Sequence, residues 1–220
     1  MFITFEGLDC SGKSTQAQRL VEKLTVGTLP GSDQIRPVRF IREPGGTAIS
    51  ERLRDILLDR ATLDLHERAE LFLFEASRTQ LVHQVIRPAL AKGEIVICDR
   101  YADSTTAYQG YGRNLDLAAV EQINHFATGG LVPDLTLFVD IVTAEIARRK
   151  AQRGDPADRM ESAGNRFYDR VREGYMEIAR REPDRFVVVD GMPPIPAVED
   201  AVWRALMKAT NRMKMQELRS

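Results

Sequence analysis

Cysteine is scarce in this sequence. Cys10 and Cys98 are the only two, too few for a disulfide framework, so both are read as reduced thiols. An excess of charge is also missing. With 31 Lys and Arg against 32 Asp and Glu, no overall field draws the chain to nucleic acid or membrane, and neither is expected as a partner. No apolar run approaches the ~18 residues that a membrane helix requires. The opening Met1-Phe-Ile-Thr-Phe-Glu6 lacks the basic region of a signal peptide, so a cytoplasmic protein is expected. Repeats, low-complexity tracts and linkers are absent too. What remains is an ordinary globular balance, 43% apolar and 29% charged, which excludes a disordered or collagen-like chain. The length of 220 residues suits one good-sized core, so residues 1–220 are read as a single domain.

Five short β-branched or aromatic runs read as buried strands: Phe2 to Phe5, Val38 to Ile41, Ile95 to Cys98, Leu135 to Val139 and Phe186 to Val189. Helical patterns lie between them, at Lys13 to Leu24, Glu67 to Ala91, Leu117 to Ala127, Ala144 to Gln152, Arg166 to Arg181 and Ala197 to Met207. Pro88 is expected to bend the long second helix. Residues Thr210 to Ser220 have no apparent role. Strands alternating with helices over the full length predict an α/β fold with a parallel sheet covered on both faces. Ligands are then expected at the carboxyl ends of the strands.

Gly7-Leu-Asp-Cys-Ser-Gly-Lys-Ser14 fits G-x-x-x-x-G-K-[ST] in full, after a predicted strand and before an amphipathic helix. Gly7 and Gly12 let backbone N–H groups curl around a phosphate at the positive end of the helix dipole. Lys13 supplies a charge for the β- and γ-phosphates, and Ser14 a hydroxyl for Mg²⁺. The nucleotide-binding set is therefore Gly7, Leu8, Asp9, Cys10, Ser11, Gly12, Lys13, Ser14 and Thr15, with ATP and Mg²⁺ as the expected ligands. Asp99, at the end of a hydrophobic strand, stands where a phosphate-loop protein needs a carboxylate near the metal or the acceptor, although it also fits as a helix cap.

Which reaction uses the triphosphate is a separate question. None of the asparagines (Asn114, Asn124, Asn165, Asn211) opens an Asn-Lys-x-Asp guanine-reading motif, which argues against a small GTPase. Phe74 and Arg78 share a helix face, so one can stack on a base while the other bonds its edge. Read singly, Phe74 also fits as core and Arg78 as a surface ion-pair partner. Arg42, Arg54 and Arg100 each fall near a strand end or an early helix and suit a shared phosphate. The basic stretch Arg148 to Arg153, followed by Gly154 and then Asp158-Arg159, reads as a lid over roughly residues 150–162 that brings arginines to the transferred group. From the residues alone, a kinase for another nucleoside monophosphate and a regulatory NTPase without an acceptor both stay open.

Taken together, these segments resemble the thymidylate kinase family, within the nucleoside monophosphate kinases. The resemblance rests on Phe5-Glu-Gly-Leu-Asp-Cys-Ser-Gly-Lys-Ser-Thr15, Arg42-Glu-Pro-Gly-Gly-Thr47, Leu73-Phe-Glu-Ala-Ser-Arg78, Asp99-Arg-Tyr101, Ser104-Thr-Thr-Ala-Tyr-Gln-Gly110, Pro133-Asp-Leu-Thr-Leu137 and the Arg153…Arg159 lid. It implies a three-layer P-loop NTPase fold with a five-stranded parallel sheet, transfer of the ATP γ-phosphoryl group to dTMP in dTTP synthesis, Mg²⁺, and a homodimer. By position, it implies that Asp9 bonds the deoxyribose 3′-hydroxyl, Phe74 stacks on thymine and Arg78 bonds the base edge, with Ser104, Thr105 and Gln109 nearby. It implies that Arg54 and Arg100 hold the dTMP phosphate and that Asp99 positions phosphate and metal. Eukaryotic-type members carry an arginine inside the phosphate loop, where this chain has Cys10. The arginine-rich lid resembles the bacterial arrangement, in which Arg153 and Arg159 supply the catalytic charge.

Overall fold

A computed structural model describes residues 1–153 and 165–217. In chain order the elements are β1 (Phe2–Glu6), α1 (Lys13–Val26), β2 (Val38–Arg42), α2 (Ala48–Leu58), α3 (Glu67–Leu81) and α4 (Arg87–Ala91). There follow β3 (Ile95–Asp99), α5 (Ala102–Thr105), α6 (Leu117–Thr128), β4 (Leu135–Asp140), α7 (Thr143–Arg153), α8 (Asn165–Arg181), β5 (Phe186–Asp190) and α9 (Ile195–Glu217). The five strands form one parallel sheet in the order β2-β3-β1-β4-β5, with Phe2 opposite Val96 and Ile3 opposite Leu135.

Side-chain alternation along β1 sorts the core. Ile3 and Phe5 point to the face covered by α1 and α9, where Leu20, Leu24, Val202 and Leu206 close on them. Phe2 points the other way, to Leu81, Ile86 and Tyr101, while on that same face Phe138 of β4 packs with Val171 and Tyr175 of α8. Glu6 shares the parity of Phe2, so a fully buried carboxylate faces α5 and α8.

Three sequence expectations change. At Pro88, where the sequence predicts a bend, the helix changes its winding: Val82–Ile86 widens to a π turn in which the Arg87 N–H reaches the Val82 carbonyl, and Pro88 takes an early position in α4, where its missing N–H is tolerated. Two helical segments had no counterpart in the sequence reading. One is α2, capped by the Thr47 hydroxyl on the Ser50 N–H (3.0 Å). The other is α5 with the π-helical Thr106–Gly112 that continues it. The C-terminal stretch is not idle either. The final helix runs to Glu217, buries Thr210 and anchors the Gly31 carbonyl with the Lys214 ammonium.

Candidate functional site

The carboxyl end of β1 turns sharply into α1, and Gly7 is required there. Its φ is +156°, and a Cβ at that position would lie 2.5 Å from Ser11 Oγ and 2.8 Å from the Val139 carbonyl oxygen. Gly12 precedes the helix at φ +93°, and Cys10 takes a left-handed φ of 61°. Leu8 contributes backbone alone, since its side chain is buried with Phe138 and Tyr175. Thr15 is exposed in the first turn of α1. The loop is held from outside by Arg149 of α7, which donates to the carbonyls of Cys10 (3.1 Å), Ser11 (3.2 Å) and Gly191 (3.0 Å). Arg149 was not singled out in the sequence; its signal is only that it follows Glu145 by one helical turn, and the carboxylate orients it at 2.8 Å.

Asp99 meets this loop from the end of β3. The Ser14 hydroxyl donates to its Oδ2, and Lys13 Nζ lies 3.9 Å from Oδ1, which is buried without a hydrogen-bond partner. An orphaned carboxylate oxygen beside a serine hydroxyl is a hard-oxygen set of the kind Mg²⁺ takes when phosphates and water complete its shell. Burial, with Arg100 nearby, pushes the Lys13 ammonium below its usual range, while Asp99 and Asp9 oppose the shift.

The same cleft, about 340 Å³, runs from Asp9, Lys13, Ser14 and Asp99 to Arg54, Phe74, Arg78, Arg100, Ser104, Thr105 and Gln109. It therefore gathers every acceptor-side residue expected from sequence and, of the expected nucleotide-binding set, Asp9, Lys13 and Ser14. Phe74 is half-buried in its wall and belongs to none of the three apolar clusters. Arg54 and Arg42 both donate to the Pro44 carbonyl (2.9 and 2.8 Å), and Arg42 also pairs with Glu51 at 3.0 Å.

Arg78 departs from a simple edge reader. It is 1% exposed and is gripped by Glu43 (2.7 Å) and Glu75, with further bonds to Thr105 (2.8 Å), Asn124 (3.3 Å) and the Tyr101 carbonyl (3.0 Å). Two carboxylates thus share one guanidinium, and burial pushes the Glu43 carboxyl up to about 7 against the pull of Arg78. Gln109 is oriented by Glu70 at 2.8 Å.

Arg100 has a left-handed φ of 73°, rare for a residue with a side chain, and it aims its guanidinium back into the cleft. There it bonds Asp9 Oδ1 (2.8 Å) and the Tyr108 hydroxyl (3.1 Å). The second Asp9 oxygen accepts from Tyr168 of α8 at 2.9 Å. Burial works to raise the Asp9 carboxyl, but Arg100 and Lys13 beside it hold it below the usual range. Tyr168, Tyr175, Glu6 and Glu43 all support the site and were missed, because their partners lie far away in sequence; Glu75 was missed as well, although it stands one helical turn from Arg78. The backbone of Arg153 closes α7. Arg159 and the rest of the lid expected over roughly residues 150–162, from residue 154 onward, lie outside the described residues.

A phosphate loop at one end of a cleft, with an arginine- and aromatic-lined acceptor pocket at the other, defines a P-loop nucleoside monophosphate kinase. Comparison with known proteins narrows that class. The family model described as thymidylate kinase matches residues 5–202. A thymidylate kinase from Solidesulfovibrio magneticus is 46% identical over 214 residues, covering 94% of this chain and 99% of that protein. One from Deinococcus radiodurans is 44% identical, covering 94% and 96%. The crystal structure of thymidylate kinase from Ehrlichia chaffeensis superposes with a TM-score of 0.74 at 34% identity, covering 94% and 98%. The chain belongs to the thymidylate kinase family.

Proposed function

We propose that the cleft transfers the γ-phosphoryl group of ATP to dTMP, giving ADP and dTDP for dTTP synthesis. The observation that carries this reading is the continuity of a single cavity from the Lys13–Asp99 end to Phe74 and Arg54. Donor and acceptor phosphates then meet in one channel, which positions them for direct transfer. The loop N–H groups and Lys13 hold the ATP phosphates. Ser14 and Asp99 are the residues that would hold Mg²⁺, which, when bound, neutralises charge on the β- and γ-phosphates.

On the acceptor side, Phe74 stacks on thymine. Arg78, locked by Glu43 and Glu75, presents a fixed edge to the base beside Thr105 and Gln109. Arg54 and Arg100 take the dTMP phosphate, Ser104 backs Arg100 at 3.2 Å, and Asp9 accepts the deoxyribose 3′-hydroxyl. Arg153 and Arg159 meet the charge that spreads over the transferred group, a role carried by their place in the basic lid sequence.

The chain acts in the cytoplasm as a homodimer. No helix among the described residues is long and apolar enough to cross a membrane. Phe72 of α3 and Phe126 of α6 stand 58% and 86% exposed on neighbouring helices, an apolar face suited to a second copy. Sedimentation of wild type against Phe126→Asp tests the dimer, which the variant should weaken.

The reaction itself is tested by coupled ADP release with dTMP, dUMP, dCMP, AMP or no acceptor. ADP should form fastest with dTMP and barely at all without an acceptor. Equal release with AMP would change the acceptor, and equal release with none would make the protein an NTPase.

A further inference from the structure

We propose that Glu6 is a positioning residue for the transfer: through the hydroxyls of Ser104 and Tyr175, it fixes the Arg100 guanidinium in the orientation that receives the acceptor phosphate. This rests on the reading of Arg100 given above, which does not itself involve Glu6.

Glu6 is the last residue of β1, directly before the phosphate loop, and it is fully buried. A carboxylate in such a place is costly unless every acceptor site is answered. Here Oε1 accepts from the Tyr101 N–H at 2.8 Å, and Oε2 accepts from Ser104 Oγ at 2.5 Å and Tyr175 Oη at 2.8 Å. The two hydroxyls are 2.9 Å apart. Both also lie beside Arg100 Nη1, Ser104 at 3.2 Å and Tyr175 at 3.4 Å.

The direction of these bonds follows from donor and acceptor chemistry. A carboxylate only accepts and a guanidinium only donates. Burial, with Asp103 nearby, pushes the Glu6 carboxyl up to about 7; above that, with Glu6 ionised, the hydroxyl protons of Ser104 and Tyr175 point at the carboxylate, and their lone pairs face Arg100. The guanidinium is thereby seated on this side, while Asp9 and Tyr108 take Nη2 on the other. A neutral amide at position 6 would donate into the hydroxyls and turn their protons toward Arg100. That arrangement repels the cation and lets it leave its seat. Glu6 does not line the cleft, so its effect on dTMP passes through Arg100.

Steady-state kinetics of Glu6→Gln, Glu6→Asp and Arg100→Ala test the idea, with melting temperature recorded for each. Glu6→Gln should raise the dTMP KM by about tenfold or more, the scale of losing one charge-assisted hydrogen bond, while the ATP KM stays within about twofold. Glu6→Asp keeps an acceptor and should recover part of the loss. A normal dTMP KM in Glu6→Gln, an equal rise in both KM values, or an aspartate as damaging as the amide would overturn the proposal. If Glu6→Gln does not fold, the double variant Ser104→Ala/Tyr175→Phe cuts the same relay at its other end. It should show the same dTMP-selective loss, and unchanged dTMP affinity there would overturn the proposal as well. Arg100→Ala separates the role of Arg100 from that of Glu6. A dTMP KM unchanged in Arg100→Ala would remove the reading of Arg100 and this proposal with it, whereas a raised one beside a normal Glu6→Gln would remove this proposal alone.

Discussion

Phe74 is half-buried in the cleft wall and takes no part in the apolar clusters, so losing its ring should cost substrate before it costs fold. Phe74→Ala is expected to raise the dTMP KM by a factor matching about 1–3 kcal/mol, the scale of base–aromatic stacking, with little change for ATP. Equal rises for both substrates, with a lowered Tm, would return Phe74 to the core. At the donor end, Lys13→Ala should lower kcat severely and leave dTMP affinity nearly intact, because its charge serves phosphates on the other side of the transfer. Calorimetry with dTMP checks this: a loss of affinity as large as the loss of turnover would reassign Lys13. Arg153→Ala should likewise depress kcat in single-turnover measurements while Cys10→Ala stays close to wild type, since a thiol cannot meet the charge of the moving phosphoryl group. The reverse pattern would place the catalytic charge in the loop and not in the lid.

At the scale of the element, the five strands were legible because each is a short, β-branched or aromatic run, but the expectation that all are buried fails at the edge strand β2, where Arg39 and Phe40 are exposed. The phosphate loop was legible because a motif of fixed spacing sat between a strand and a helix. Ala102–Gly112 was not. Its serine, threonines, glycines and tyrosines have weak helical preference, and the segment is helical because burial forces its polar groups to find partners, such as Glu6 for Ser104, Glu75 for Thr105 and Asn124 for Thr106. Arg78 shows the same limit: its helix face was readable, whereas the two carboxylates that grip it come partly from the distant Glu43. Arg149 belongs to this scale as well, since it ties α7 to the loop after β1. Arg149→Ala should raise the ATP KM several-fold and spare the dTMP KM, a split that initial-rate measurements with each substrate varied in turn would reveal. An unchanged ATP KM would reduce this contact to decoration.

At the scale of the whole molecule, the buried Glu43 carboxyl couples stability to pH. The Glu43 carboxyl is pushed from its ordinary 4.5 to about 7 by burial. Below the lower value both folded and unfolded chains carry the proton. Between the two values the unfolded chain gives it up while the folded chain keeps it, so this group makes folding less favourable as pH rises through that window. Glu43→Gln cannot titrate, and its Tm relative to wild type should therefore climb between about pH 5 and about pH 8. A constant offset across the range would mean that the carboxyl is not raised.

The strand order has a consequence in time. β1 is the first of the five strands to be made, yet its hydrogen-bonding neighbours are β3 on one side and β4 on the other. At ribosomal speeds the last of these arrives on the order of ten seconds later. Until then the first strand has no edge to join, and the turn between it and α1 has no frame to hold its curl. A nascent chain halted before Ile95 would contain every residue of the phosphate loop and still have no seat for a triphosphate. Nucleotide binding is thus expected to wait for the arrival of the sheet and not of the motif.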